Sequence, residues 1–285
     1  MNRNHANAKN NFQFSIITPV KNDEHMLKLI ESYRQAKTNN TVEHLIVCNG
    51  SCKKFTKKIE RSIQALKTTK ILVLQDSNIA ASINYAIKKA NASTVVIVDS
   101  DCFMDGNFVA SMTRAIKNNL AVRGKVVFKG HNPLSRLNSK LRSHIYETES
   151  NLFFAPNLAL NKSLFKQIGY FNENLHSWDS EFGYRANKHG INITHENSAI
   201  VTHNCGDDLF NEAIVSIKYG EGRAYCYQRG LLGNKSLSLL VKTMSIPCVF
   251  SVKESPVYNL YVLFYSIIWN YGFLKLLIFK PAEGK

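Results

Sequence analysis

Four short apolar runs punctuate the first hundred residues: "FSIIT" (14–18), "HLIVC" (44–48), "KILVL" (70–74) and "TVVIVD" (94–99). Each is rich in β-branched residues and lacks a polar alternation, the pattern of strands buried on both faces of a parallel sheet. The segments between them carry helical spacing instead. Phe55, Ile59, Ile63 and Leu66 recur every three to four residues, as do Ile79, Ile83, Ala86, Ile87 and Ala90. Strand and helix in alternation require right-handed crossovers, which predicts an α/β fold with one mostly parallel sheet and helices on both faces.

Sheets of this kind bind ligands beyond the carboxyl ends of their strands. The fourth run ends there in Asp99 and Asp101, separated only by Ser100, on a chain whose formal net charge is +15. An Asp-x-Asp at a strand end suits a divalent cation holding a diphosphate, because hard oxygen ligands select Mg²⁺ or Mn²⁺. The competing reading is a cap for the helical stretch "GNFVASMTRAIK", a task that Asp105 could take.

After residue 120 the pattern loosens. "NLFFAPNLALNKSLFKQIGYF" reads as a strand or two and a short helix ending at Gly169. "SEFGYRANKHG" reads as a helix stopped by Gly190, and "INITHENSAIVTH" as a strand pair. The apolar tail 257–279 is long enough to span a bilayer, but Asn259, Asn270, Gly272 and Lys275 interrupt it. Its Tyr and Trp residues favour the headgroup region, and packing on the domain or on a second subunit, as a homodimer, explains it as well.

The excess charge points to anionic partners. From Ala121 to Tyr146 there are six Lys or Arg and no acid, a candidate face for phosphate or lipid headgroups. No nucleic-acid-binding motif accompanies the charge, so nucleic acid is not the expected partner. The cysteines (48, 52, 102, 205, 226, 248) form no CxxC pair, and no apolar leader opens the chain, so reduced thiols in a cytoplasmic setting are expected.

The order of these motifs resembles the family 2 glycosyltransferases, enzymes of the GT-A fold. "FSIITPVKNDE" is similar to the family's opening strand and turn, "LIVCNGS" to its second strand, "NIAASINYAIKKA" to its Asn-bearing helix and "VVIVDSDC" to its metal motif. "FAPNLALNKSLFKQIGYFNENLHSWDSEFGYRANKHG" resembles the acceptor-side block and "AIVTHN" the late histidine, so the likeness runs over about residues 14–230. It implies a metal-dependent inverting transfer from a nucleotide-diphosphate sugar to a glycan, lipid-linked or lipid acceptor.

Residue by residue, the resemblance implies a nucleotide-sugar site formed by Pro19, Val20, Asn22, Glu24, Cys48, Asn84, Asp99, Ser100, Trp178 and Arg185. Asp101 and His203 would bind Mn²⁺ or Mg²⁺, and Asp179 would be the catalytic base, with Glu181 as the alternative. It also implies a nucleotide-sugar half 12–120 and an acceptor and catalytic half 121–232, while composition makes 1–11 a polar, disordered opening and 233–285 a helical segment that touches membrane or a second copy. The basic surface and aromatic tail place the expected acceptor at the cytoplasmic face of a membrane.

The chain departs from the family at three positions, one of them Trp178, which stands where an acid is common. Cys48 and Lys53 stand where acids are common, and a thiol does not accept a ring N–H as a carboxylate does. UDP, the family's usual donor nucleotide, is therefore open to replacement by another, and a degenerate scaffold or a transferase acting on nucleic acid are the alternative functions. A sugar nucleotidyltransferase is disfavoured, because "TPVKNDE" has no glycine to form a phosphate loop.

Overall fold

The computed structural model describes residues 12–36, 41–149, 151–233, 238, 240–241 and 254–279. The expectation of disorder over 1–11 and the thiol of Cys248 lie outside them. The described strands form a single eight-stranded sheet in the order β3-β2-β1-β4-β7-β6-β8-β5. Four segments build its parallel half: β1 (Phe14–Val20), β2 (Val42–Asn49), β3 (Thr69–Leu74) and β4 (Thr94–Ile97). Helices α1 (His25–Ala36), α2 (Lys53–Ser62) and α3 (Ile79–Lys89) make the crossovers.

The apolar runs behave as two-faced strands. Val96 and Val98 face one core with Phe14, Ile16 and α1, whereas Val95 and Ile97 face the other with Ile17 and α3. Successive residues point to opposite faces of a strand, so a strand covered on both sides has no polar position to give up.

The second half of the sheet is mixed. β7 (Leu158–Asn161) runs antiparallel to both β4 and β6 (Ala121–Lys129), while β8 (Thr194–Asn204) runs parallel to β6. β5 (Cys102–Met104) is antiparallel to β8 at the far edge. "INITHENSAIVTH" is thus one long strand rather than a pair. Its irregularity is a register shift against Gly124/Lys125, where β8 accommodates extra residues and bends.

A short link forces the sheet to curl. β4 and β5 stand fourth and eighth in the strand order, so in a flat sheet they would lie about 19 Å apart. Only residues 98–101 join them, a span of at most roughly 18 Å if fully extended. The link is not extended, because the Cys102 amide turns back to donate to the Asp99 carbonyl at 3.1 Å. The edge must therefore fold back over the carboxyl ends of the central strands.

Further helices are α4 (Phe108–Ala115), α5 (Pro133–Thr148), α6 (Ser163–Ile168), α7 (Trp178–Lys188), α8 (Leu209–Gln228) and α9 (Pro256–Ile278). α9 starts with a Ser255 cap, whose side chain accepts the Tyr258 amide, followed by Pro256. It packs Tyr261, Tyr265, Trp269 and Phe273 against α5 and α8 and leaves Val257, Leu260, Leu263, Ile267, Tyr271, Leu274 and Ile278 exposed. By length and composition α9 could cross a membrane.

Paired positions on α8 and α9 climb together, Ser216 with Tyr265 and Gln228 with Leu276, so the two helices run side by side in the same direction. Glycines allow that contact: a Cβ on Gly220 would lie 2.0 Å from the Trp269 carbonyl oxygen, and one on Gly272 2.1 Å from that of Ile217.

The basic segment 121–146 is not a uniform surface. Arg123 is buried, donating to the carbonyls of Tyr146, Glu149 and Leu152, and Arg142 pairs with Glu212 at 3.0 Å. Both serve the interior, where an arginine's five donors can satisfy loop and helix-end carbonyls.

The helix contact predicts that Gly220→Val lowers stability by about 1–3 kcal/mol, since backbone cannot give way as a side chain can. Gly106, with open space around its Cα, serves as the control, and Gly106→Ala should leave the thermal midpoint unchanged.

Candidate active site

The curl sets Asp101 against His203. Cys102 and His203 are direct partners in the β5–β8 ladder, and the Asn204 amide donates to the Asp101 carbonyl at 3.3 Å. The His203 Nε2 lies 3.5 Å from Asp101 Oδ1. Cys102 completes a group whose ligand atoms all fall within 4.8 Å. Its thiol is fully buried, and burial together with the Asp101 and Asp99 carboxylates pushes its pKa well up, so it stays protonated. What remains is a carboxylate and an imidazole that burial holds neutral. That oxygen–nitrogen set fits Mn²⁺ or Mg²⁺, and neutral imidazole is the ligating form.

Asp99 lies at the head of the same turn. Burial first, then the Asp101 and Asp179 carboxylates, raise its pKa to about 8, against the pull of Arg142. The charge of Asp179 is thus felt at Asp99, which puts both ends of the site in one electrostatic neighbourhood. Neither aspartate caps α4. Asp105 does the local work, its carboxylate accepting the Asn107 amide and its carbonyl that of Phe108.

Sequence reasoning missed Asp23, although its neighbours Asn22 and Glu24 were singled out. Its Oδ2 accepts the Ser100 hydroxyl at 2.7 Å and ties the Asp99–Asp101 turn to the loop after β1. Asn22 takes a positive φ of 53° and accepts the Cys52 amide, joining the turns after β1 and β2. Glu24 is exposed and pairs with Lys58. Pro19 and Val20 are buried at the end of β1. Cys48 sits wholly inside the core and reaches no ligand edge. The exposed acid beside the end of β2 is instead Asp76, from the loop after β3, paired with Lys21 at 2.8 Å.

On the other side, Asp179 occupies the first turn of α7. Its Oδ2 accepts the Ala155 amide at 3.1 Å and its Oδ1 the Ser180 amide at 2.7 Å. Burial lifts its pKa to about 6 despite those bonds. A carboxylate poised just below neutral pH suits a general base. It also faces a cavity between α5, α7, α8 and α9.

The other residues assigned to this side have packing roles. Glu181 is consumed by a two-pronged pair with Arg185, at 2.7 and 3.0 Å, which leaves Asp179 as the available carboxylate. Arg185 also donates to the carbonyls of Ile168 and Tyr170, pinning the loop before α7. Asn84 clamps the same loop through both the amide and the carbonyl of Phe171. Trp178 is buried edge-on against Phe171, its ring centroid 4.6 Å away, and is not free to stack on a sugar.

The sequence profile described as "Glycosyl transferase family 2" matches residues 15–179, from β1 to the aspartate at the head of α7. No curated protein sequence is significantly similar to the chain. Among solved structures the fold is similar to that of the mannosyltransferase PcManGT from Pyrobaculum calidifontis, determined in complex with GDP-Man and Mn²⁺. The TM-score is 0.61 at 13% identity, over 96% of this chain and 76% of that one.

Because Asp179 is ionised and buried above pH 6, its charge costs stability there; below about pH 4 it is neutral in both folded and unfolded states. The stability of Asp179→Asn relative to the parent should therefore be higher at pH 8 than at pH 4 by up to about 3 kcal/mol. The gain should fade as pH falls from 6 to 4 in denaturant titrations. A stability difference between variant and parent that stays constant from pH 4 to pH 8 would contradict this account of the site.

Proposed function

We propose a donor orientation and a division of labour from one premise: the chain belongs to glycosyl transferase family 2. It is a glycosyltransferase, acting with a nucleotide-sugar donor. The observation that carries the rest is the opposition of two carboxylate sites, Asp101 beside His203 at the curled edge and Asp179 at the head of α7.

In this reading the donor's nucleoside lies across the carboxyl ends of β1 and β2, within the 12–120 half. Asn22 and the Asp76–Lys21 pair line the base end, and Asp99 faces the ribose. Asp101 and His203 would hold a divalent cation, which when bound neutralises charge on the departing diphosphate. That PcManGT binds GDP-Man and Mn²⁺ on a similar fold supports the donor class.

Asp179, in the 121–232 half, takes the proton of the acceptor hydroxyl as that oxygen attacks the anomeric carbon from the face opposite the diphosphate. The attack inverts the configuration. The Ala155 and Ser180 amides fix the carboxylate's direction. Arg142, a neighbouring cation held by Glu212, lowers the cost of gathering so many acids in one place.

The acceptor is proposed to be lipid-linked or lipid, met at the cytoplasmic face of a membrane. The exposed stripe of α9 recurs every three to four residues along the whole helix, as a helix lying in a lipid surface requires. Vesicles containing anionic lipid should carry the protein up a flotation gradient, and Ile267→Asp should abolish this. A stable dimer without lipid that Ile267→Asp dissociates would assign the stripe to a second copy instead.

The catalytic assignment predicts that transfer is lost with EDTA and in Asp101→Ala. It also predicts that the rate rises through pH 6 as Asp179 gives up its proton. Asp179→Asn should cost at least about 100-fold in turnover while nucleotide affinity is kept. Full activity of Asp101→Ala in EDTA would refute the metal role.

A further inference from the structure

The cavity beside Asp179 has a volume of about 120 Å³ and opens between α5, α7, α8 and α9. Its walls are mostly apolar, with Ile145, Leu152, Phe154, Tyr184, Tyr265 and Trp269 among them. An apolar cavity of about 150 Å³ accepts a benzene ring, so this one has room for a single ring or a few methylenes and not for an oligosaccharide.

Of the four charged side chains in the wall, Asp179 and Arg142 are engaged by hydrogen bonds with described residues, and Glu149 and Arg223 are not. Asp179 is held by two amides, and Arg142 is engaged by Glu212 and Asn138 at 3.0 Å each. Arg223, projecting from α8, makes no hydrogen bond or ion pair with any described residue, and its Nε is buried without a partner. Its guanidinium only rests over the Tyr184 ring, 4.9 Å from the centroid. Glu149 also lines the cavity, near enough for its charge to favour the guanidinium but without direct ion-pair contact. A buried donor without an acceptor is costly, and guanidinium geometry is matched to phosphate and carboxylate oxygens.

We propose that this cavity is the acceptor subsite and that it selects an anionic amphiphile. The acceptor's apolar segment lies against Tyr265 and Trp269, and its phosphate- or carboxylate-class group is held by Arg223. The assignment rests on Asp179 being the base, which sets where the acceptor hydroxyl must arrive. It also gives α9 two tasks: the inward face walls the subsite, while the outward stripe faces the lipid from which such an acceptor would come.

The test is calorimetric titration of hexyl phosphate, with hexanol and inorganic phosphate as controls, into the full chain and into Arg223→Met and Arg223→Lys. Hexyl phosphate should bind the parent at least tenfold more tightly than either control. Arg223→Met should lose at least tenfold for hexyl phosphate and nothing for hexanol, and Arg223→Lys should fall between. Since Arg223 makes no hydrogen bond with any described residue, the thermal midpoint of Arg223→Met should match or exceed the parent's; a fall of several degrees would mark a structural arginine and overturn the proposal. Equal binding of hexanol and hexyl phosphate, or unchanged affinity in Arg223→Met, would overturn it too. Thermal shift by a nucleoside diphosphate with Mn²⁺, read on the same samples, separates the two readings. Loss of the nucleotide response in the parent counts against the donor site, whereas its presence beside a silent hexyl phosphate counts against the acceptor inference alone.

Discussion

Four residues carry the architecture. The link from Val98 to Asp101 joins the centre of the sheet to its edge strand, and no flat sheet of this strand order can accommodate it. Curling brings β8 back over the ends of the parallel strands, and with it His203 to the side of Asp101. In the same half of the sheet β7 and β5 enter antiparallel, and β8 shifts register against Gly124/Lys125. A change in link length would flatten the sheet and separate the two proposed metal ligands at once.

Electrostatics then explain a paradox of composition. A chain with a net charge of +15 places Asp99, Asp101 and Asp179 in one half-buried neighbourhood. Burial and mutual repulsion raise the pKa of Asp99 to about 8 and burial alone raises that of Asp179 to about 6, so the fold stores an unfavourable concentration of negative charge. A divalent cation at Asp101 would relieve part of it, since a bound ion reverses the local preference for protonation. Of the interior cations, Arg142 relieves another part from within its pair with Glu212, whereas Arg123 is spent on carbonyls.

The parallel half was legible in the sequence because a strand buried on both faces leaves an unbroken apolar run, and 14–18, 44–48, 70–74 and 94–99 all became β1 to β4. The ends of α6 and α7 were legible for a local reason, at Gly169 and Gly190, both with positive φ. The bent β8 read as two strands because its inserted residues interrupt the period. Pattern also cannot tell a ligand-facing side chain from one that organises a loop. Asn84, Trp178 and Arg185 sit in motif positions yet grip the segment before α7, and Cys48 is closed off beneath the strand ends. What sets Arg223 apart is a missing partner among the described residues, visible only once three helices enclose it.

The central claim, that the curled edge carries the cation and α7 the base, is tested most directly by anomalous diffraction from crystals grown with MnCl₂ and a nucleoside diphosphate. The account predicts one manganese peak bonded to an Asp101 oxygen and the His203 imidazole, bridging the diphosphate, with Asp179 free of metal. A peak elsewhere, or a diphosphate bound away from the end of β4 with Asp101 untouched, would contradict it.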